Sequence, residues 1–200
     1  MKLPLLIVLI LASNLFAYGQ IFSNSIRGEE VYLRDNKSLT EYDSAKDQTI
    51  VYSPHILFYK SEGTLNNLGE LISADFLFTY QGHTLTSTPN IIELKFISFA
   101  NHIWKFKDSV ARQLTINIDG KPLIEITLER VSTRQIPDIN VARMRFVEVL
   151  ATPLSFENFS KIKNGRKIVL QIGKAYKYNL SRNDLKMIDD FVSQKISVHP

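Results

Sequence analysis

Between Leu114 and Glu129 apolar and polar residues alternate almost without interruption, and a glycine-containing turn divides the run in two. Leu114, Ile116 and Ile118 alternate with Thr115 and Asn117. After Asp119-Gly120-Lys121, Ile124, Ile126 and Leu128 alternate with Glu125, Thr127 and Glu129. A period of two puts successive side chains on opposite faces of a strand, so this stretch is read as a β-hairpin with one buried face. The turn length follows from register. A two-residue Asp-Gly turn sets Leu114 opposite Glu125, an apolar face against a polar one. A three-residue loop, Asp119-Gly120-Lys121, pairs Ile116 with Ile124 and Leu114 with Ile126, and is therefore the expectation. Pro122, lacking an N–H, then belongs at a strand start or a sheet edge.

The same alternation, rich in β-branched and aromatic residues, recurs between turn signals. Strands are predicted near 30–35, 49–60, 72–81, 90–99, 102–107, 111–118, 122–130, 143–150, 166–172 and 175–180. Pro54 and Pro122 are candidates to guard an edge against further pairing. The period changes to that of a helix after Ser181. Asp184 stands three residues beyond it as the partner in a capping box, Leu180 can staple onto Leu185, and Leu185, Ile188, Val192 and Ile196 share a face. An amphipathic helix is predicted over about 182–195. A shorter helical turn is predicted after Thr152-Pro153, with Leu154, Phe159 and Ile162 inward and Asn164-Gly165 as its stop. The architecture expected is mainly β, a β-sandwich or an open or partly closed antiparallel barrel, with a C-terminal amphipathic helix and one short helix.

The N-terminus points to a compartment. Lys2 precedes an apolar stretch from Leu3 to Ala12, and Ala17-Tyr18-Gly19 supplies the small-x-small pattern cut by a signal peptidase. The stretch is about half of the ~20 residues needed to cross a bilayer, so residues 1–19 are read as a signal peptide rather than an anchor, leaving Gln20 first. The chain has no cysteine. That removes the lipid-attachment residue of a lipoprotein, disulfides, thiolate metal ligands and thiol nucleophiles. The expectation is a bacterial protein exported to the periplasm or the medium, free of the membrane after cleavage, with residues 20–200 forming a single β-rich domain. A chain of this length can bury roughly 70% of its unfolded surface without covalent staples.

Charge excludes one class of partner. Lys2 is the one charged residue among the first nineteen, so its removal takes the net charge from +4 to +3, too mild a balance for a nucleic-acid protein. Position along the chain says more. From Phe159 to Asn183 stand Lys161, Lys163, Arg166, Lys167, Lys174, Lys177 and Arg182 with no acid among them, interleaved with Tyr176 and Tyr178. This segment is the candidate surface for an anionic partner, an acidic polysaccharide, phospholipid headgroups or an acidic protein.

Signs of catalysis are sparse. His55, His83, His102 and His199 have no spacing that places two on one element face, so no zinc site is expected. Glu125 and Glu129 share a strand face but lie ~13 Å apart, beyond the ~5–9.5 Å of glycoside hydrolysis. The sequence holds no nucleophile elbow, phosphate-cradling glycine loop, dinucleotide fingerprint or calcium loop, and no cofactor is expected. His83, in the turn Tyr80-Gln81-Gly82-His83-Thr84, is a candidate ligand contact. Trp104, on a predicted strand with His102 and Phe106 beside it and Lys105 and Lys107 opposite, is a candidate stacking platform.

The layout of Asp75-Phe76, Asn90-Ile91-Ile92-Glu93-Leu94, Ile118-Asp119-Gly120-Lys121, Phe156-Glu157-Asn158-Phe159 and Gly173-Lys174-Ala175-Tyr176-Lys177-Tyr178-Asn179-Leu180, followed by the helix, resembles small exported bacterial β-rich proteins without an assigned activity. The likeness spans about residues 72–195 and implies fold and compartment only. Three functions are compatible with these features. The leading one is a non-enzymatic interaction or ligand-binding protein. The alternatives are a carrier of a small apolar ligand in a cavity lined by Phe76, Phe78, Phe96 and Trp104, and a hydrolase whose site is assembled from separate loops around His83 and His102.

Overall fold

Strand pairing in the computed structural model begins from three long, mostly apolar segments, Leu71–Gln81 (β4), Ile91–Ala100 (β5) and Arg143–Ser155 (β9). The structure describes residues 37–61, 69–100, 104–138 and 143–196, all within one compact unit, Lys37–Pro200. The predicted strand at 30–35, the predicted signal peptide at 1–19, His102 and His199 lie outside the described residues.

Around the long strands a seven-stranded antiparallel sheet runs β1-β2-β4-β5-β9-β8. It includes Leu39–Asp43 (β1), Gln48–Tyr52 (β2) and Glu129–Asp138 (β8), with Ile56–Lys60 (β3) also on β4. Gln113–Ile118 (β6), Lys121–Thr127 (β7), Ile168–Ile172 (β10) and Tyr176–Asn179 (β11) form a second sheet, in the order β11-β10-β6-β7. The sheets do not close into a barrel, and the fold is mainly β and sandwich-like. One core joins them, with Phe76, Leu94, Phe96 and Leu150 from the first sheet and Leu114, Ile116, Ile168, Leu170 and Ile172 from the second. Helices Phe156–Asn164 (α1) and Arg182–Phe191 (α2) complete this core through Phe159 against Phe76 (5.1 Å) and Phe191 against Phe78 (5.8 Å).

The β6–β7 hairpin keeps the predicted partners, Ile116 with Ile124 and Leu114 with Ile126, but reaches them differently. The turn is the two-residue Asp119-Gly120, both at positive φ (52° and 83°), as a type I′ turn requires. Pairing then jumps from Asn117↔Pro122 to Ile116↔Ile124, so the extra residue is a bulge at Leu123 rather than a third loop residue. β7 is an edge strand, which is where Pro122 is tolerated.

Other boundaries move for local reasons. The predicted strand 49–60 is two strands, because Pro54 cannot donate to the ladder. Ser53 replaces the missing bond: its N–H donates to the Phe76 carbonyl (2.7 Å), and its Oγ accepts from the Phe76 N–H (2.9 Å) while donating to the Pro54 carbonyl (2.9 Å). The predicted strand 122–130 breaks at Leu128, 1% exposed, where the chain leaves one sheet for the other; β8 then continues to Asp138. β9 runs through Pro153 to Ser155. Its pairing with β8 stops at Ala151, so the proline lies where one side of β9 is open. Ser155 then caps α1 by accepting from the Asn158 N–H (3.2 Å).

The C-terminal helix follows the expected capping box, with Ser181 Oγ accepting from the Asp184 N–H (3.2 Å) and Asp184 Oδ2 from the Ser181 N–H (2.6 Å). α-Helical geometry ends at Phe191, and the last turn, Val192–Ile196, is a π-helix that buries Ile196.

Burial of Ser53 (2% exposed) makes its dual role measurable. Ser53→Ala strands the Phe76 N–H, and unfolding by denaturant is expected to show a loss of about 1–3 kcal/mol with an unchanged m-value. A change below a few tenths would mean the hydroxyl does not hold the break.

Candidate functional site

Of the strand predicted over 102–107, the described part, 104–107, is not a strand, and side chains take the N–H groups of Lys105 and Phe106 and the carbonyls of Phe106 and Lys107. Glu148, on β9 and 1% exposed, turns its carboxylate to this segment and accepts from the N–H groups of Lys105 (2.5 Å) and Phe106 (3.2 Å). The Phe106 carbonyl accepts from the guanidinium groups of Arg130 and Arg112, the latter at 3.2 Å. Arg112 also reaches the carbonyls of Lys107 (3.3 Å) and Leu128 (3.2 Å), and Arg130 lies 3.6 Å from Glu148. A carboxylate inside an apolar sheet persists because its oxygens meet both N–H donors and a cation.

This clamp positions three side chains. Phe106, 1% exposed, packs on the Tyr176 ring of β11 (5.7 Å). Lys105 extends to Glu70 (2.5 Å). Trp104 is half-buried and meets Phe146 edge to face (4.7 Å, 86°). This contact fixes the orientation of the ring and leaves it partly exposed. Of the rings named for a cavity, Phe76, Phe78 and Phe96 are core residues packed on Phe159, Phe191 and Phe58, and they share no space with Trp104.

His83 follows the left-handed Gly82 (φ 72°) and lies on the Tyr42 ring (3.7 Å between centroids, 31°). The Tyr42 hydroxyl donates to Asp47 Oδ1 (2.6 Å), and the Gln81 amide donates to Asp47 Oδ2 (3.0 Å). The phenol hydrogen bond lowers the Asp47 pKa and raises that of Tyr42. All these groups are exposed, and together they tie the β1–β2 turn to the loop after β4.

The basic segment divides into parts. Lys161 pairs with Glu157 (2.6 Å) and Lys163 with Asp189 (2.9 Å) across the two helices. Arg166, Lys167, Lys177 and Arg182 are exposed and make no ion pair with a described residue. Register brings three of them to one corner. Leu180 donates to the Ile168 carbonyl (3.0 Å), setting Ser181 and Arg182 beside the start of β10, just after Arg166 and Lys167. Ile118 pairs with both Ile168 and Lys121, which adds exposed Lys121 from two strands away, ~10 Å at the usual strand spacing. Two acids stand at this corner: Asp119 accepts from the Lys167 N–H (2.9 Å), and buried Asp184 is engaged by the Ser181 N–H (2.6 Å) and the Tyr178 hydroxyl (2.8 Å).

Lys174 lies at the other end of β10, in the turn to β11. There Lys105, Asp108, Val110, Ile172, Lys174 and Tyr176 face a cleft of about 390 Å³. Burial, followed by the nearby Glu70, Tyr59 and Glu148, pushes the Tyr176 phenol up to about 12. Burial and the bond to Asp184 (2.8 Å) do the same for Tyr178.

Sequence reading missed two buried carboxylates, Glu148 and Asp75. Asp75 (2% exposed) pairs with His55 Nδ1 on the sheet face opposite the core, where Leu77, Ile97, Phe99, Val147 and Val149 are also buried. The apolar run Val147-Glu148-Val149-Leu150-Ala151, with one acid inside it, is the signal that marks Glu148. Among the described residues no group of three or more His, Asp and Glu is placed to hold a metal ion, and no helix is long and apolar enough to cross a membrane. Comparison of the chain with family profiles, curated proteins and solved structures gives no match.

Tyr176 and Tyr178 have raised folded-state pKa values, so between pH 10 and 12 the folded chain keeps protons that the unfolded chain releases. Their stabilisation is complete below pH 10 and is lost as the pH rises through 12. Unfolding measured across that interval is expected to show a decline that becomes shallower in Tyr178→Phe; an identical decline would contradict the assignment.

Proposed function

We propose that the protein is an exported, non-enzymatic binding domain that engages an anionic partner outside the cytoplasm through the basic corner formed by Lys121, Arg166, Lys167 and Arg182. The observation that carries this reading is the division of the basic residues. Lys161 and Lys163 are neutralised by Glu157 and Asp189, whereas the corner gathers four exposed cations that make no ion pair with a described residue, its two aspartates being hydrogen-bonded to the backbone at Lys167 and Ser181. Like charges assembled by a turn, a loop and a helix start repel one another unless an anion joins them, and their field favours encounter with one.

An acidic polysaccharide is the partner class that fits best. Its four cations are exposed and spread over a turn, a loop and a helix start, which suits a repeating charge read along a chain. The N-terminal pattern supports export without a lipid anchor, into the periplasm or the medium.

The test uses protein recovered from the cell envelope, whose first residue is expected to be Gln20, retained on heparin and eluted with salt. Replacing Arg166, Lys167 and Arg182 together by Glu is expected to lower the eluting salt concentration substantially. Replacing Lys161 and Lys163 by Glu should lower it less, because each already carries a counter-charge. Equal effects of the two sets, or none from the first, would remove the corner from the reading.

A further inference from the structure

The cleft at the far end of β10 is built from two turns held edge to edge. Gly173 takes φ 55°, and its N–H donates to the Gln113 carbonyl (2.7 Å). A Cβ at this position would stand 3.1 Å from the Ala111 carbonyl oxygen, so the close approach of the turns depends on glycine. On the facing turn, Asp108 Oδ1 accepts from the Ala111 N–H (2.8 Å) and fixes the path of residues 108–111.

The lining is apolar below and charged at the mouth. Ile172, 0% exposed, forms the floor beside the Tyr176 ring. Val110, on the lip, is 66% exposed and lies outside the core cluster, an apolar side chain that folding leaves in water. At the mouth, Lys105 is held by Glu70, whereas Lys174 is exposed and makes no ion pair with a described residue.

We propose that this cleft binds a small amphiphilic anion, its apolar body against Val110, Ile172 and Tyr176 and its carboxylate or sulfonate beside Lys174. The volume, about 390 Å³, is at the small end of ligand pockets. Asp108 on the opposite lip disfavours a second negative charge, so a monoanion is preferred to a dianion. The site is separate from the basic corner and does not depend on it.

The test is fluorescence titration of the native protein with 1-anilinonaphthalene-8-sulfonate, an aromatic monoanion. Saturable binding of one equivalent is expected, weakened at least tenfold by Lys174→Glu and by Val110→Asp, and unchanged by Lys161→Glu. Both substituted positions are exposed, and circular dichroism checks that each variant stays folded. Uncharged N-phenyl-1-naphthylamine is expected to bind more weakly and to be indifferent to Lys174→Glu. Absence of saturable binding overturns the proposal. So does binding that survives both cleft substitutions, or that is lost in Arg166→Glu/Lys167→Glu but not in Lys174→Glu.

Discussion

A single buried carboxylate decides the shape of one end of this molecule. Glu148 lies within a run that is otherwise apolar, on the sheet face that also carries Leu150 and Leu154, where an ionised group without partners would cost several kcal/mol. Its oxygens are met by the Lys105 and Phe106 amides of an irregular segment and by Arg130, and the Phe106 carbonyl is met in turn by Arg112 and Arg130. The segment therefore needs no strand neighbour. Phe106 is delivered into the core, Lys105 is brought to Glu70, and the chain then enters the turn at 108–111 that walls the cleft.

β10 connects the two surfaces that carry the functional proposals. Its five residues alternate between core and exterior, with Ile168, Leu170 and Ile172 inward, so its ends are fixed by the packing of its middle. The basic corner lies at one end and the cleft at the other. The cations that sequence alone groups together are thereby separated into helix ion pairs, a corner, a single lysine at a cleft mouth and exposed Lys177 on β11.

How much of this is legible in the sequence depends on how local each cause is. The hairpin partners of Leu114 and Ile116 and the Ser181–Asp184 cap follow from residues a few positions apart, and both appear as expected. The Leu123 bulge does not, because a three-residue loop and a two-residue turn with a bulge give the same facing pairs. Residues 102–107 have the alternation of a strand, and only Glu148, more than forty positions away, diverts the described part, 104–107, from strand geometry. The pairing of Lys163 with Asp189 likewise depends on how two helices meet, and the burial of Asp75 on the sheet face opposite the core depends on what packs there. The expectation of export, by contrast, rests on the pattern of residues 1–19 and the absence of cysteine and does not involve the fold.

The most direct test of the role of Glu148 is native-state hydrogen exchange at the Lys105 and Phe106 amides, comparing the natural chain with Glu148→Ala under conditions where both remain folded. If the carboxylate holds the segment, these amides exchange slowly in the natural chain and at least a hundredfold faster in the variant, while amides of β4 and β5 keep their protection. Equal rates at Lys105 and Phe106 in the two proteins would show that the segment holds its path without Glu148 and would contradict the account.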